Sequence, residues 1–186
     1  MCHPTAHIVS NEPGSTSLFA SGAQMLHVRG DGSLIDPDEL HRTLEHFPWR
    51  DPHNSQPSVI SVTQPTDFGS VYDLSHLAKL TSIAQGHGLR GHLDGARFAN
   101  ALVHLDCSPA DATWRSGIDV LTLGATKNGG LSAELIVSFD DAASEESGVL
   151  FYRISPGIIR FVTSWQTTDA DVDEVVARVG AALAGS

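Results

Sequence analysis

Short apolar runs, each set off from the next by a helical pattern or a turn, constrain this chain more than any other feature of its sequence. Ser58-Val59-Ile60-Ser61-Val62-Thr63 is β-branched and reads as a buried strand. Asp73 can cap a helix with Leu74, Leu77, Leu80 and Ile83 on one stripe, and Gly86 and Gly88 stop it. Leu89 to Leu93 reads as a second strand and Ala96 to His104 as a short helix. Gly117 to Leu123, Leu135 to Phe139 and Ile158 to Val162 read as three more strands. Asp36 and Pro37 open an earlier helix that runs to about His46, and a polar break from Pro48 to Pro57 follows it. Val172, Val175, Val176, Val179 and Leu183 fall on one face of a last helix. Strands apolar on both faces and separated by helices imply an α/β fold around a mostly parallel sheet.

Composition narrows the function classes. Lys plus Arg number 11 against 22 Asp plus Glu, a net charge of −11, which argues against a nucleic-acid-coating or acidic-membrane-binding role. No apolar run approaches the roughly 20 residues that span a bilayer, and the first residues lack the basic and apolar regions of a secretory signal. Cys2 and Cys107 cannot build a disulfide framework, so a reducing, cytoplasmic setting is expected. The 186 residues suffice for one domain with a sizeable core.

Several motifs lose to simpler readings. Gly86-His87-Gly88-Leu89-Arg90-Gly91 has dinucleotide-loop spacing, but it runs from helix to strand, the reverse of what a pyrophosphate site needs. Cys2, His3 and His7 cluster near the start, but Pro4 disfavours the helix that would align the histidines, and no second ligand pair stands at zinc spacing. No metal is expected. Asp140 to Gly148 is acidic, small and featureless, and on composition it is a surface loop.

Two residues stand where α/β sheets bind ligands, beyond the carboxyl ends of strands. Asp94 lies where a strand gives way to a helix, and Lys127 follows the next strand. Such a pair could serve pyridoxal phosphate, the lysine as Schiff-base amine and the aspartate as partner of the pyridine nitrogen. A lone lysine after a strand is more often a solvated surface residue, and spacing alone leaves both readings open.

Longer blocks carry a resemblance. Cys2 to Ile8, Phe19-Ala20-Ser21-Gly22-Ala23-Gln24, Gln64 to Tyr72, His92-Leu93-Asp94-Gly95-Ala96-Arg97-Phe98-Ala99-Asn100-Ala101, Asp119 to Gly130 and Arg160-Phe161-Val162-Thr163-Ser164-Trp165 come in one order. In that order the chain resembles the threonine aldolase and aromatic amino acid β-eliminating lyase family of fold-type-I pyridoxal phosphate enzymes, over residues 1–140 and about 151–186. The resemblance implies an incomplete large domain at 1–140, a deletion junction at 141–150 and a C-terminal small-domain remnant at 151–186. It implies a segment with a phosphate-cradling Gly-Thr loop ahead of the histidine block, and a long interdomain stretch after Phe139, neither of which this sequence contains.

The resemblance also implies roles. Lys127 is the Schiff-base lysine, Asp94 pairs with the pyridine nitrogen, and His7 stacks on the ring and helps handle the β-hydroxyl proton. Arg97 lies by the cofactor's phenolic oxygen or the substrate, Thr126 adds a cofactor contact, and Arg160 grips the substrate carboxylate. The implied reaction is retro-aldol cleavage of threonine or a related β-hydroxy amino acid to glycine and an aldehyde, in a dimer or tetramer. Some family members have a histidine near Asp67; here a carboxylate and Phe68 stand there, so the resemblance does not name the base. An inactive remnant and a module that associates with a full-length relative remain open beside the lyase.

Overall fold

The computed structural model describes residues 1–131, 133–139, 152–155 and 158–160, with Ala170, Asp173, Glu174 and Ala177; for Pro13 and for 152–160 the description is of the backbone alone. By its contacts the chain divides into two compact units, Met1–Phe139 and Asp140–Ser186.

The first unit is built on a four-stranded sheet, β1 (Val59–Thr63), β2 (Arg90–Gly95), β3 (Val120–Gly124) and β4 (Glu134–Ser138), in that spatial order. β1 and β2 are parallel, as are β2 and β3, while β4 returns antiparallel to β3. The register sets Thr63 beside Asp94 and Asp94 beside Thr122. Because side chains alternate along a strand, Ser61, Thr63, His92, Asp94 and Thr122 share one face. Ile60, Val62, Leu93 and Leu121 share the other and enter the core.

Helices cover the apolar face. α3 (Pro37–Glu45) starts at Pro37, with Asp36 accepting the Asp38 amide proton, and buries Leu40 and Leu44. α4 (Leu74–Gly86) is capped by Asp73, whose carboxylate accepts from His76 N at 2.7 Å, and buries Leu77, Leu80 and Ala84. α5 (Phe98–Leu105) buries Phe98 and Ala101. Gly86 and Gly88 end α4 in a turn, with Gly88 at φ +80°, so the glycine-rich stretch stops a helix as its order implied.

Three features of this unit depart from the sequence expectation. Two short helices, α1 (His7–Ser10) and α2 (Pro13–Phe19), precede α3; neither carries the apolar stripe that betrays a packed helix. The third strand starts at Val120 rather than Gly117, because Gly117, at φ +81°, closes a 3₁₀ turn at Trp114–Ser116. The N-terminal residues add to the sheet edge. The Met1 amine donates to Val59 O, Ser61 N donates to Met1 O at 2.8 Å, and Cys2 bridges onward to His27.

In the second unit, β5 (Tyr152–Ser155) and β6 (Ile158–Arg160) form a separate antiparallel ribbon. Ala170, Asp173, Glu174 and Ala177 are helical. The junction at 141–150 and the apolar stripe from Val172 to Leu183 lie outside the described residues. Among the described residues no helix is long and apolar enough to cross a membrane.

Candidate active site

The polar face of the sheet runs out at its carboxyl edge into three connections. The first, after β1, carries Asp67. Gln64, fully buried, holds both ends of this loop: its amide donates to Tyr72 O at 2.8 Å and accepts from Tyr72 N at 2.9 Å. Gln64 N donates to Asp94 O at 2.9 Å, tying the loop to β2. Within it, Thr66 N donates to Ser70 O and Gly69 N to Thr66 O, both at 2.9 Å. A cleft lined by His3, Ser61, Thr63, Thr66 and Asp67 opens on this face.

Asp94 stands near the carboxyl end of β2, and the second connection, which follows, carries Arg97. Asp94 Oδ1 accepts from Ala96 N at 3.2 Å and Oδ2 is loosely approached by the Thr63 hydroxyl at 3.4 Å. No cation among the described residues pairs with Asp94. Gly95 is required beside it: a Cβ there would stand 2.7 Å from Leu121 Cδ1 and 2.9 Å from Thr122 O.

Arg97 reaches back to the first loop, its Nη1 2.8 Å from Asp67 Oδ1. The other carboxylate oxygen, Oδ2, lies 3.0 Å from His7 Nδ1. His7, Asp67 and Arg97 thus form one chain of charge-assisted contacts across three segments. Burial pushes the Asp67 carboxyl up, but hydrogen bonds from Arg97 and His7 outweigh it and hold the group below the ordinary aspartate range.

Behind Asp94 on the same face, His92 crosslinks the three parallel strands. Its Nδ1 lies 2.8 Å from the Ser61 hydroxyl and its Nε2 3.2 Å from the Thr122 hydroxyl. Desolvation pulls its pKa below the usual histidine value, and the nearby Asp94 charge only partly opposes this.

The third connection, after β3, carries Thr126 and Lys127 in a 3₁₀ turn, Thr126–Asn128. Both side chains are exposed, and Lys127 makes no ion pair with any described residue. The turn departs from Gly124, where an added Cβ would stand 3.1 Å from the Glu134 carboxylate and 3.5 Å from the Ala96 α-carbon. Arg160 ends β6 in the second unit; its side chain is not among those described. Of the other early candidates, Cys2 is buried against Met25 Sδ, and His3 is spent on Thr5 Oγ1 and Gly30 O.

A wider comparison agrees with the segments along this edge: the model of the family described as Beta-eliminating lyase matches residues 1–174. The chain belongs to the beta-eliminating lyase family. Within that family it is similar to the low specificity L-threonine aldolase of a Pseudomonas species, 37% identical over 146 residues, and to that of Pseudomonas aeruginosa, 34% identical over the same length. Each match takes in 78% of this chain and 42% of the relative, so the chain spans less than half the length of these two proteins. Among solved structures it is similar to a Leishmania major threonine aldolase, with TM-score 0.64 and 26% identity over 76% of this chain and 40% of that one. The four-stranded sheet with flanking helices is therefore the beta-eliminating lyase large-domain fold in part.

Asp67 and His92 were not among the site residues expected from sequence. Asp67 stood in a block already singled out, but nothing local marks a carboxylate as the partner of residues 60 positions before it and 30 after it.

Proposed function

We propose that this chain carries the active-site half of a threonine aldolase-type lyase, which cleaves β-hydroxy amino acids to glycine and an aldehyde with pyridoxal 5'-phosphate. Enzymes of this family use that cofactor, and the residues present suit its ring end. The observation that carries the reading is the carboxyl edge itself, where Asp94 near the end of β2 and Lys127 after β3, neither in an ion pair among the described residues, stand on adjacent strands. A carboxylate with a lone pair to spare suits a protonated ring nitrogen, and a free amine suits an aldehyde.

When bound, the cofactor supplies an electron sink for the pair released as Cα–Cβ breaks. The protein supplies the rest. Lys127 would hold the group through Nζ, and Asp94 would face the ring nitrogen and keep it protonated. His7, half-exposed and fixed through Nδ1, offers Nε2 toward the β-hydroxyl proton. Thr126 adds a hydroxyl at the base of the lysine turn, and Arg160 is the candidate grip for the substrate carboxylate. The boundary between the two compact units, at Phe139 and Asp140, supports reading 1–140 as large domain, 141–150 as a junction and 151–186 as small-domain sequence. A dimer or tetramer belongs to the same reading.

A second reading is a catalytically impaired or inactive chain that associates with a full-length relative. Incubation with pyridoxal phosphate and L-threonine, with glycine and acetaldehyde assayed, tests the first. Release that disappears in Lys127→Ala supports it; release that persists in Lys127→Ala overturns it. Cofactor on Lys127 without release supports the second.

A further inference from the structure

We propose that Asp67 is a positioning residue that fixes the ring tautomer of His7, with the proton on Nδ1 and the lone pair on Nε2. The inference rests on the lyase reading for its use, since it names the group that readies His7 to take a hydroxyl proton. It rests on the geometry of four residues for its content.

His7 Nδ1 has two neighbours that ask for opposite tautomers. Asp67 Oδ2, at 3.0 Å, is a carboxylate oxygen; it only accepts, so it requires Nδ1–H. Asn11 Nδ2, at 3.2 Å, only donates, so it requires a bare Nδ1. The two cannot both be satisfied by a neutral ring. A bond to a charged acceptor is roughly twice as strong as a neutral one, and Arg97, at 2.8 Å from the other oxygen, keeps Asp67 charged. Asp67 therefore wins the contest. The Asn11 amide has other acceptors to turn to, the Ser10 hydroxyl at 3.1 Å and Asp67 Oδ2 at 3.5 Å.

The winning tautomer leaves Nε2 with a lone pair. No hydrogen bond within the described residues occupies it; the other charged group that faces the ring, Glu12 Oε1, stands off at 3.7 Å and is exposed. The rigid loop pinned by Gln64 holds Asp67 in place, and the three-residue chain passes that order to a ring that sits on a four-residue helix. Arg97 acts here through Asp67.

Two-bond proton–nitrogen correlation of the imidazole rings in the ¹⁵N-labelled full chain, without cofactor and at a pH where histidine is neutral, reads the tautomer directly. His7→Gln assigns the signal. The wild-type ring is expected in the Nδ1–H form. In Asp67→Ala, Asn11 becomes the remaining side-chain partner of Nδ1, and the ring is expected to switch to the Nε2–H form. Asn11→Ala is expected to leave the wild-type pattern in place. A wild-type ring in the Nε2–H form, or an Nδ1–H ring that survives Asp67→Ala, overturns the proposal; the wild-type spectrum alone decides the matter if Asp67→Ala proves unstable. Failure of the lyase reading is seen elsewhere, as absence of cofactor on Lys127 in a chain whose His7 tautomer is as stated.

Discussion

Arg97 Nη1 lies 2.8 Å from Asp67 Oδ1, joining the helix start after β2 to the loop after β1. The contact is one-third exposed on the arginine side and less on the aspartate side. It therefore belongs with ion pairs worth about 1 kcal/mol rather than with buried ones. Arg97→Gln is expected to cost about that much in urea unfolding, with the loss concentrated above the aspartate range.

The same pair sets an acid limb. Asp67 binds its proton less readily in the folded chain than in the unfolded one. Its contribution is whole above the ordinary aspartate pKa and is lost as pH falls through the depressed value. Unfolding free energy measured from about pH 6 to about pH 3 should fall less steeply in Asp67→Asn than in the wild type. Parallel slopes would remove Asp67 from the acid response.

His92 sets a second limb at higher pH. Its folded pKa lies below the ordinary histidine value because burial disfavours the imidazolium. The unfolded chain therefore takes up the proton first, and stability begins to fall as pH drops below about 6.5. His92→Gln should flatten the stability profile between about pH 7 and pH 5, read from thermal midpoints across that range.

Gln64 offers the sharpest structural test. Its buried amide satisfies both Tyr72 N and Tyr72 O. Gln64→Ala leaves two buried backbone groups without their partner, at a cost of about 2 kcal/mol or more. Gly95→Ala should cost about 1–3 kcal/mol for a different reason, the overlap of the new methyl with Leu121 and Thr122. Denaturant midpoints for the two variants check both.

Local signals made much of the first unit legible. Asp36 and Asp73 cap the helices they were read to cap, because a carboxylate just ahead of an apolar stripe acts within its own turn. The β-branched run from Ser58 to Thr63 and the run from Leu89 to Leu93, each read as a strand from its own residues, became the strands at 59–63 and 90–95. What stayed illegible is set by contacts distant in sequence. No pattern around His7 says that its ring will meet Asp67, and none around Met1 says that it will pair with β1. His92 looked like one more histidine among ten; its role as a crosslink appears only when the register puts Ser61 and Thr122 on either side of it. β4 read correctly as a strand, but its antiparallel direction follows from the connection at 125–133, shorter than the crossover a parallel neighbour needs, rather than from its own residues.

Lys127 is the residue proposed to hold the cofactor. The direct measurement is incubation of the full chain with pyridoxal phosphate, reduction with borohydride, and mapping of the labelled peptide. Label is expected on Lys127, and none on Lys79, which is paired with Asp38 of α3. A reduced chain with no label on Lys127 would contradict that assignment.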